Sequence, residues 1–137
     1  MGLNAKNKKD LLEAITNNWY WVLSTSKMID ANYLENNFSE EELAEAGIYT
    51  RKEHVSNAKS FACGSATVEA CGSATVKAYD SATVEAYDSA TVEAYDNSYV
   101  EDCTGNINTV SDHGIVKDYY NHKIYIKKGK FEIIEIE

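Results

Sequence analysis

The stretch "GSATVEACGSATVKAYDSATVEAYDSATVEAY", residues 64–95, repeats nearly the same eight residues four times. Divided into eights, the whole of residues 56–119 keeps this register, down to the degenerate last unit "DHGIVKDY". We call each unit an octad. A fixed internal period indicates a repeat architecture, because a single unit cannot bury its apolar face without its neighbours.

The composition of an octad predicts a short strand followed by a corner. Ser, Thr, Val and Tyr favour strands, and Asp-Ser or Gly-Ser favours a turn. Within the strand, Ala66, Val68 and Ala70 share one side, and the intervening polar residues share the other. Because eight is an even number, every later octad presents the same residue types to the same sides.

Stacking such strands in parallel predicts a β-solenoid, in which the backbone groups of one coil satisfy those of the next. The thin Ala-Val-Ala interior favours two octads per coil, a flat cross-section, and about four coils. Three octads per coil, or an irregular or antiparallel sheet, are the alternatives. The predicted fold class is α+β, a short solenoid with an α-helical N-terminal cap and a C-terminal β-hairpin cap.

Residues 1–55 are predicted to be the helical cap, ahead of the solenoid at 56–119. Apolar residues recur at helical spacing from Leu11 to Leu23. A later helix is marked by Ser39 and Glu42, which have the spacing of a capping box, and by Gly47 at its end.

Residues 120–137 are predicted to form the second cap. The segment "HKIYIKKGKFEIIEIE" alternates apolar and polar residues on both sides of "KKGK". Ile124 and Ile126 would pair with Phe131, Ile133 or Ile134 in a hairpin that turns near Gly129. Caps are expected at both ends, because an uncovered sheet edge invites pairing with another chain.

The overall charge limits the classes of partner. A formal net charge of −9 and a pI near 4.8 argue against direct binding of nucleic acid or of an anionic membrane, since both would repel the chain. The odd count of three cysteines suggests reduced thiols and a cytoplasmic location. Acidity that serves solubility alone is the plainer alternative.

With two octads per coil, alternate octads share a face, and one face collects acids opposed only by Lys117. This predicts an acidic surface for a protein partner with a basic, nucleic-acid-binding surface. Ordinary solvated strand faces are the alternative. The predicted partner-binding acids are Glu69, Asp80, Glu85, Asp96, Glu101, Asp102, Asp112 and Asp118.

The last octad position forms a column of tyrosines and cysteines. If this column is exposed, it suits partner contact or homodimerisation, whereas cysteine in place of tyrosine favours partial burial. Cys71 and Cys103 would lie two coils apart, roughly 10 Å, too far for a disulfide. The predicted aromatic contact residues are Tyr79, Tyr87, Tyr95 and Tyr119.

Neither catalysis nor a cofactor is predicted. The three histidines lack metal-ligand spacing with the cysteines. A ladder of equivalent carboxylates on a flat face singles out no acid and base, and catalysis needs groups that converge in a pocket. We therefore expect a non-enzymatic protein without a metal or a cofactor.

The SATV-x-AY octads resemble the short octapeptide arrays found in proteins of bacteriophages and prophages, most closely over residues 64–103. No functional residue carries over from this resemblance. It implies the cytoplasm of a bacterial host and, for a small acidic protein, an inhibitor of host defence that mimics nucleic acid, of the anti-CRISPR type. The alternative is a structural or self-assembling phage module that oligomerises through the tyrosine column or the coil ends.

Overall fold

The chain folds as a β-solenoid of about four turns, which confirms the predicted architecture at that level. The computed structural model describes residues 5–19, 29–106 and 109–137. Two sheets form the walls of the solenoid. One has five parallel strands, and the other has six strands, of which all but the last are parallel.

The described residues contain three helices ahead of the strands: α1 (Ala5–Asn17), α2 (Ala31–Asn37) and α3 (Glu40–Glu45). The strands are β1 (Ile48–Tyr49), β2 (Glu53–Ser56), β3 (Lys59–Ala62), β4 (Thr67–Ala70), β5 (Thr75–Ala78), β6 (Thr83–Ala86), β7 (Thr91–Ala94), β8 (Tyr99–Asp102), β9 (Thr109–Val110), β10 (Ile115–Asp118) and β11 (Lys123–Ile126). The five-stranded sheet runs β1-β3-β5-β7-β9, and the six-stranded sheet runs β11-β10-β8-β6-β4-β2.

From β1 to β10, successive strands alternate between the two sheets, so each turn is a flat coil with one strand in each wall. Thr67 of β4 pairs with Thr83 of β6, sixteen residues later. The hydrogen bonds continue through the corners, where the Ser81 N–H donates to the Gly64 carbonyl at 3.2 Å. Strand and corner backbone are therefore both satisfied by the neighbouring coil.

The interior is filled by small apolar side chains from both walls. Alanines flank a central valine column, and every valine of that column is fully buried. Full burial of a valine side chain contributes about 1.5–3 kcal/mol, so this column is a main source of cohesion. Its members are Val68, Val76, Val84, Val92, Val100 and Val116.

The solenoid begins earlier than the sequence suggests. Ile48 of β1 pairs with Phe61, and Glu53 of β2 pairs with Thr67, so both strands extend the sheets into residues predicted to be helical. The composition of β1 and β2 differs from that of an octad. Parallel pairing needs only their backbone groups, however, and these can bond to β3 and β4 whatever the side chains are.

The helical segment has the local signals expected of it. The Glu42 N–H donates to Ser39 Oγ at 3.1 Å, and the Ser39 N–H donates to Glu42 Oε1 at 2.9 Å, which completes the capping box of α3. Gly47 follows with a φ of 78°. In and after α1, Leu12, Ile15 and Trp19 are buried, while the predicted continuation of the stripe to Leu23 lies outside the described residues.

A second core joins the helices to the first turns of the five-stranded sheet. The Trp19 ring lies 4.5 Å from the Phe61 ring, measured between centroids. Leu34 of α2 and Leu43 of α3 are buried in the same cluster, together with Cys63 and Tyr79. The helices thus cover the outer side of the first turns of that wall.

The C-terminal hairpin differs from the predicted one. Strand β11 pairs antiparallel with β10, and Tyr125 lies beside Val116, where it packs against the end of the valine core. Residues 131–137 belong to no strand. The Phe131 ring instead contacts the His113 ring edge-on at 5.4 Å, which holds the chain over a corner of the solenoid.

The corners depend on left-handed residues at the first octad position. Glycine adopts positive φ freely, and aspartate does so more readily than most residues. The aspartates also link the coils. Oδ2 of Asp88 accepts the Gly72 N–H at 2.9 Å, and Oδ2 of Asp96 accepts the Asp80 N–H at 3.0 Å. The residues with positive φ in this column are Gly64, Gly72, Asp80, Asp88, Asp96 and Asp112.

Two glycines of this column provide a matched test. Both have a φ of 59°, but a Cβ at Gly72 would meet nothing within 4 Å, whereas one at Gly64 would lie 2.5 Å from the Thr50 carbonyl oxygen. We expect Gly72→Asp to change the free energy of unfolding by less than about 1 kcal/mol, and Gly64→Asp to lower it by about 1–3 kcal/mol through the clash. Denaturant unfolding measures both values. Equal losses for the two variants would contradict this account of the corner.

Candidate interaction surface

The outer side of the six-stranded sheet carries a column of glutamates. Glu69, Glu85 and Glu101 occupy equivalent positions on β4, β6 and β8, and each pairs in register with the next. Adjacent strands in a sheet are roughly 4.8 Å apart, so the three carboxylates lie on neighbouring rungs. Glu69 is exposed, and the other two are half-buried. We call these three residues the glutamate column.

Within the described part of the chain, no ion pair involves any of the three carboxylates of the glutamate column. Lys117 occupies the next rung beside Glu101 and is the cation in register with the column. The equivalent position of the other wall is different, because Lys77 Nζ lies 3.6 Å from Glu93 Oε2. Like charges opposite each other on adjacent strands are destabilising. The arrangement therefore has a cost that a pattern of alternating charges would avoid.

Corner aspartates add negative charge at the edge of the same wall. Asp80 is exposed, and its Oδ2 accepts the Gly64 N–H at 2.9 Å. Asp96, one coil further, is half-buried and accepts a backbone N–H in the same way. Asp112 lies 3.1 Å from His113 Nδ1 and 3.7 Å from Lys130 Nζ. These carboxylates have structural bonds, and their positions are fixed by them.

Two of the predicted surface acids are buried. Asp102 and Asp118 are 0% and 1% exposed, because they occupy inward positions that hold alanine in the preceding octads. Oδ1 of Asp102 accepts both the N–H and the hydroxyl of Thr104, at 2.8 and 2.6 Å. Asp118 accepts the N–H groups of Tyr120 and Asn121. Both organise the chain that follows them, so their assignment to the partner-binding surface is wrong.

The predicted aromatic column separates into two columns, one at each edge of the solenoid. On the helix-covered edge, the Tyr79 and Tyr95 rings stack at 4.7 Å with an interplanar angle of 9°. Tyr79 is only 5% exposed, beneath Trp19, so it is unavailable for partner contact. Cys63 lies in this buried column as well. Burial, and secondarily the charge of Asp80, raises the pKa of the Cys63 thiol, which keeps it protonated and unreactive.

The other column is exposed beside the glutamates. Tyr87 and Tyr119 are 40% and 43% exposed, and Cys71 and Cys103 occupy the alternate rungs. The Tyr87 hydroxyl donates to Glu85 Oε2 at 3.4 Å, and the charge of Glu85 is the main cause that raises the pKa of Tyr87. A strip of tyrosine hydroxyls and rings therefore borders the glutamate column.

Tyr99 also belongs to this surface, although it was not among the predicted contact residues. It occupies the position of Thr83 in the next coil, on the outer side of the wall, and is half-buried. Its burial is the main cause that raises the pKa of its hydroxyl. The register of the degenerate octad "DNSYVEDC" could have predicted its outward position, because it aligns Tyr99 with the threonines.

The outer side of this wall is flat and carries a shallow groove. A shallow groove at its first rung is lined by Glu53, Val55, Thr67 and the first two glutamates of the column. His54 also lines the groove, and its Nε2 lies 2.7 Å from the Arg51 carbonyl oxygen while its ring stacks on Tyr49. Among residues 5–19, 29–106 and 109–137, no three His, Cys, Asp or Glu side chains come together as metal ligands.

Comparison with protein-family models, with curated proteins and with solved structures gave no match to this chain. None of the helices in the described ranges has the length and apolar character needed to cross a membrane.

The buried position of Asp118 makes a prediction about pH. Hydrogen bonds from the side chain and backbone of Asn121 are the main causes that lower the pKa of its carboxyl below the ordinary value of 3.8. A lowered folded-state pKa stabilises the fold above the ordinary value, and this contribution is lost as pH falls through the folded-state pKa. We expect Asp118→Asn to be less stable than the native chain at pH 7, and the difference to shrink in acid below about pH 4.

Urea midpoints measured across this pH range test the prediction for Asp118. Glu132→Gln, which removes a carboxylate from an exposed position, is the control and should change the midpoint less at pH 7. A gap between native chain and Asp118→Asn that stays constant from neutral to acid pH would show that the carboxylate is not the source of the stability.

Proposed function

We propose that this chain is a non-enzymatic interaction protein whose glutamate column and bordering tyrosines bind a basic surface of a protein partner. The observation that carries the proposal is the stacking of three carboxylates on neighbouring rungs, none of which forms an ion pair within the described residues. A cationic partner would neutralise these carboxylates. Binding would then remove the repulsion between them, which favours the complex.

The geometry supports a partner that normally binds nucleic acid. The column places one carboxylate per roughly 4.8 Å, and each strand of a DNA duplex places one phosphate per about 3.4 Å of its axis. Asp80 and Asp96 supply a second row of carboxylates across the same wall. A cleft lined by Lys and Arg for a phosphate backbone would attract such rows, and the tyrosine strip would supply contact area beside them.

The octapeptide resemblance and the segments beside the octads bear on where the protein acts. An inhibitor of a nucleic-acid-binding host protein, encoded by a phage and active in the bacterial cytoplasm, is the role that the octapeptide resemblance favours. In this role the octad array supplies the rigid surface. The helices that cover the first turns and the β10–β11 pair flank the array at its two ends.

The test compares two triple variants of equal net charge. One neutralises the glutamate column through Glu69→Gln, Glu85→Gln and Glu101→Gln. The control neutralises acids elsewhere through Glu41→Gln, Glu45→Gln and Glu93→Gln. Immobilised native chain is exposed to a bacterial lysate, and bound proteins are eluted first with duplex DNA or RNA and then with salt. We expect nucleic acid to elute nucleic-acid-binding proteins from the native chain and the control, with at least a tenfold loss of binding in the column variant, about 1.4 kcal/mol.

Two results would contradict the proposal. One is equal retention by the two triple variants, which would mean that the column is not the binding surface. The other is a bound protein that neither duplex DNA nor RNA displaces, which would exclude mimicry of nucleic acid. Circular dichroism of both variants should match the native chain, because all six side chains lie on the outside of the fold.

A further inference from the structure

Residues 131–137, "FEIIEIE", have the pattern of a strand but belong to no sheet of their own molecule. Ile133, Ile134 and Ile136 are 68%, 74% and 90% exposed. Residues 134–137 alternate apolar and acidic side chains, the period of a half-buried strand. We call residues 131–137 the tail. Its exposed isoleucines are an apolar surface without a partner inside the molecule.

The open edge nearest in sequence to the tail is that of β11. This strand is the last of the six-stranded sheet and pairs with β10 on one side, so the backbone groups of its outer edge have no strand beside them in the described residues. Ile124 of β11 is 65% exposed. An uncovered edge with exposed apolar side chains is a template for one more strand.

The edge and the tail have opposite charges. Residues 123–128 contain three lysines and no acid, namely Lys123, Lys127 and Lys128. The tail contains three glutamates and no base, namely Glu132, Glu135 and Glu137. Opposite charges on adjacent strands stabilise pairing, and like charges oppose it. The tail therefore suits the β11 edge in both backbone and charge.

The start of the tail contacts a corner of the solenoid and not the outer edge of β11. Lys130 Nζ lies 3.7 Å from Asp112 Oδ1, and the Phe131 ring packs against His113. Asp112 and His113 form the corner that precedes β10. The tail is thus anchored on the β10 side of β11, away from the outer edge, and its own turn at Gly129 does not make a hairpin.

We propose that the tail of one copy adds as a strand to the outer edge of β11 in a second copy, and that the second tail does the same in return. The result is a two-fold dimer with the same contact made twice. Seven extended residues reach roughly 23 Å, enough to cover a four-residue strand of about 13 Å. The proposal uses none of the residues of the glutamate column and does not depend on the proposed function.

The first experiment measures the mass of the full chain in solution by sedimentation equilibrium. We expect a species of twice the 15.3 kDa monomer that dissociates on dilution. The double variant Ile134→Lys with Ile136→Lys should be monomeric at the same concentration. Val55→Lys, which changes an exposed apolar residue on the β2 edge at the other end of the sheet, should remain dimeric.

A charge exchange identifies the two surfaces that meet. The tail variant carries Glu132→Lys, Glu135→Lys and Glu137→Lys, and the edge variant carries Lys123→Glu, Lys127→Glu and Lys128→Glu. Each alone should be monomeric, because both contacts of its homodimer join like charges. An equimolar mixture should restore the dimer, since the tail of each variant then faces an edge of opposite charge.

Three results would overturn the proposal. A native chain that remains monomeric up to millimolar concentration has no such contact. A mixture of the charge-exchanged variants that stays monomeric, although each has the circular dichroism of the native chain, means that tail and edge do not meet. Growth into larger species that Val55→Lys prevents would indicate head-to-tail addition of the tail to β2 instead of a closed dimer.

Discussion

The structure depends on one constraint, the in-register hydrogen bonding of each coil to the next along both strands and corners. Because Thr67 meets Thr83 and the Ser81 N–H meets the Gly64 carbonyl, a residue type that recurs in the sequence must recur directly above itself in space. The valine column is the favourable consequence, since apolar groups gain from contact with their own kind. The glutamate column is the unfavourable one, and the backbone pairing holds its carboxylates together despite their repulsion.

At the corners, one short side chain, aspartate, both adopts the left-handed backbone conformation and bonds to the neighbouring coil. A left-handed corner residue could be glycine throughout, but four of the octads use aspartate, and three of those carboxylates accept a backbone N–H from the preceding coil. Aspartate thus restricts the unfolded chain more than glycine does and adds a charge-assisted bond. The same choice brings negative charge to the edge of the wall, so part of the acidity of the chain follows from its architecture.

The sequence predicted the features that follow from the octad and missed those that depend on other parts of the chain. Alternation placed Val68 and Glu69 on the correct sides. Asp102 and Asp118 were predicted on the surface because of their charge, although they occupy octad positions that hold alanine elsewhere. The turns that satisfy their carboxylates, at Thr104 and Asn121, do not follow the octad pattern. Tyr79 and Tyr87 are equivalent in sequence and opposite in exposure, since the helices cover only one edge of the solenoid. The tail was expected to fold back at Gly129 and pair with β11, but it forms no strand, and its Phe131 ring lies against His113.

The two walls of the molecule therefore differ in charge and exposure, and its last strand has an edge that no described strand covers. The five-stranded wall lies under helices over its first turns, and its Lys77 and Glu93 form an ion pair. The six-stranded wall has three stacked glutamates without an ion pair in the described residues, and exposed tyrosines. Its last strand has an open, lysine-bearing edge, and the acidic tail of the same molecule does not cover that edge. A partner on the flat wall and a second copy at the β11 edge would occupy different backbone and side-chain groups, so the two contacts would not compete. A dimer would then present two acidic walls and bind a two-fold or extended basic partner with a gain in avidity.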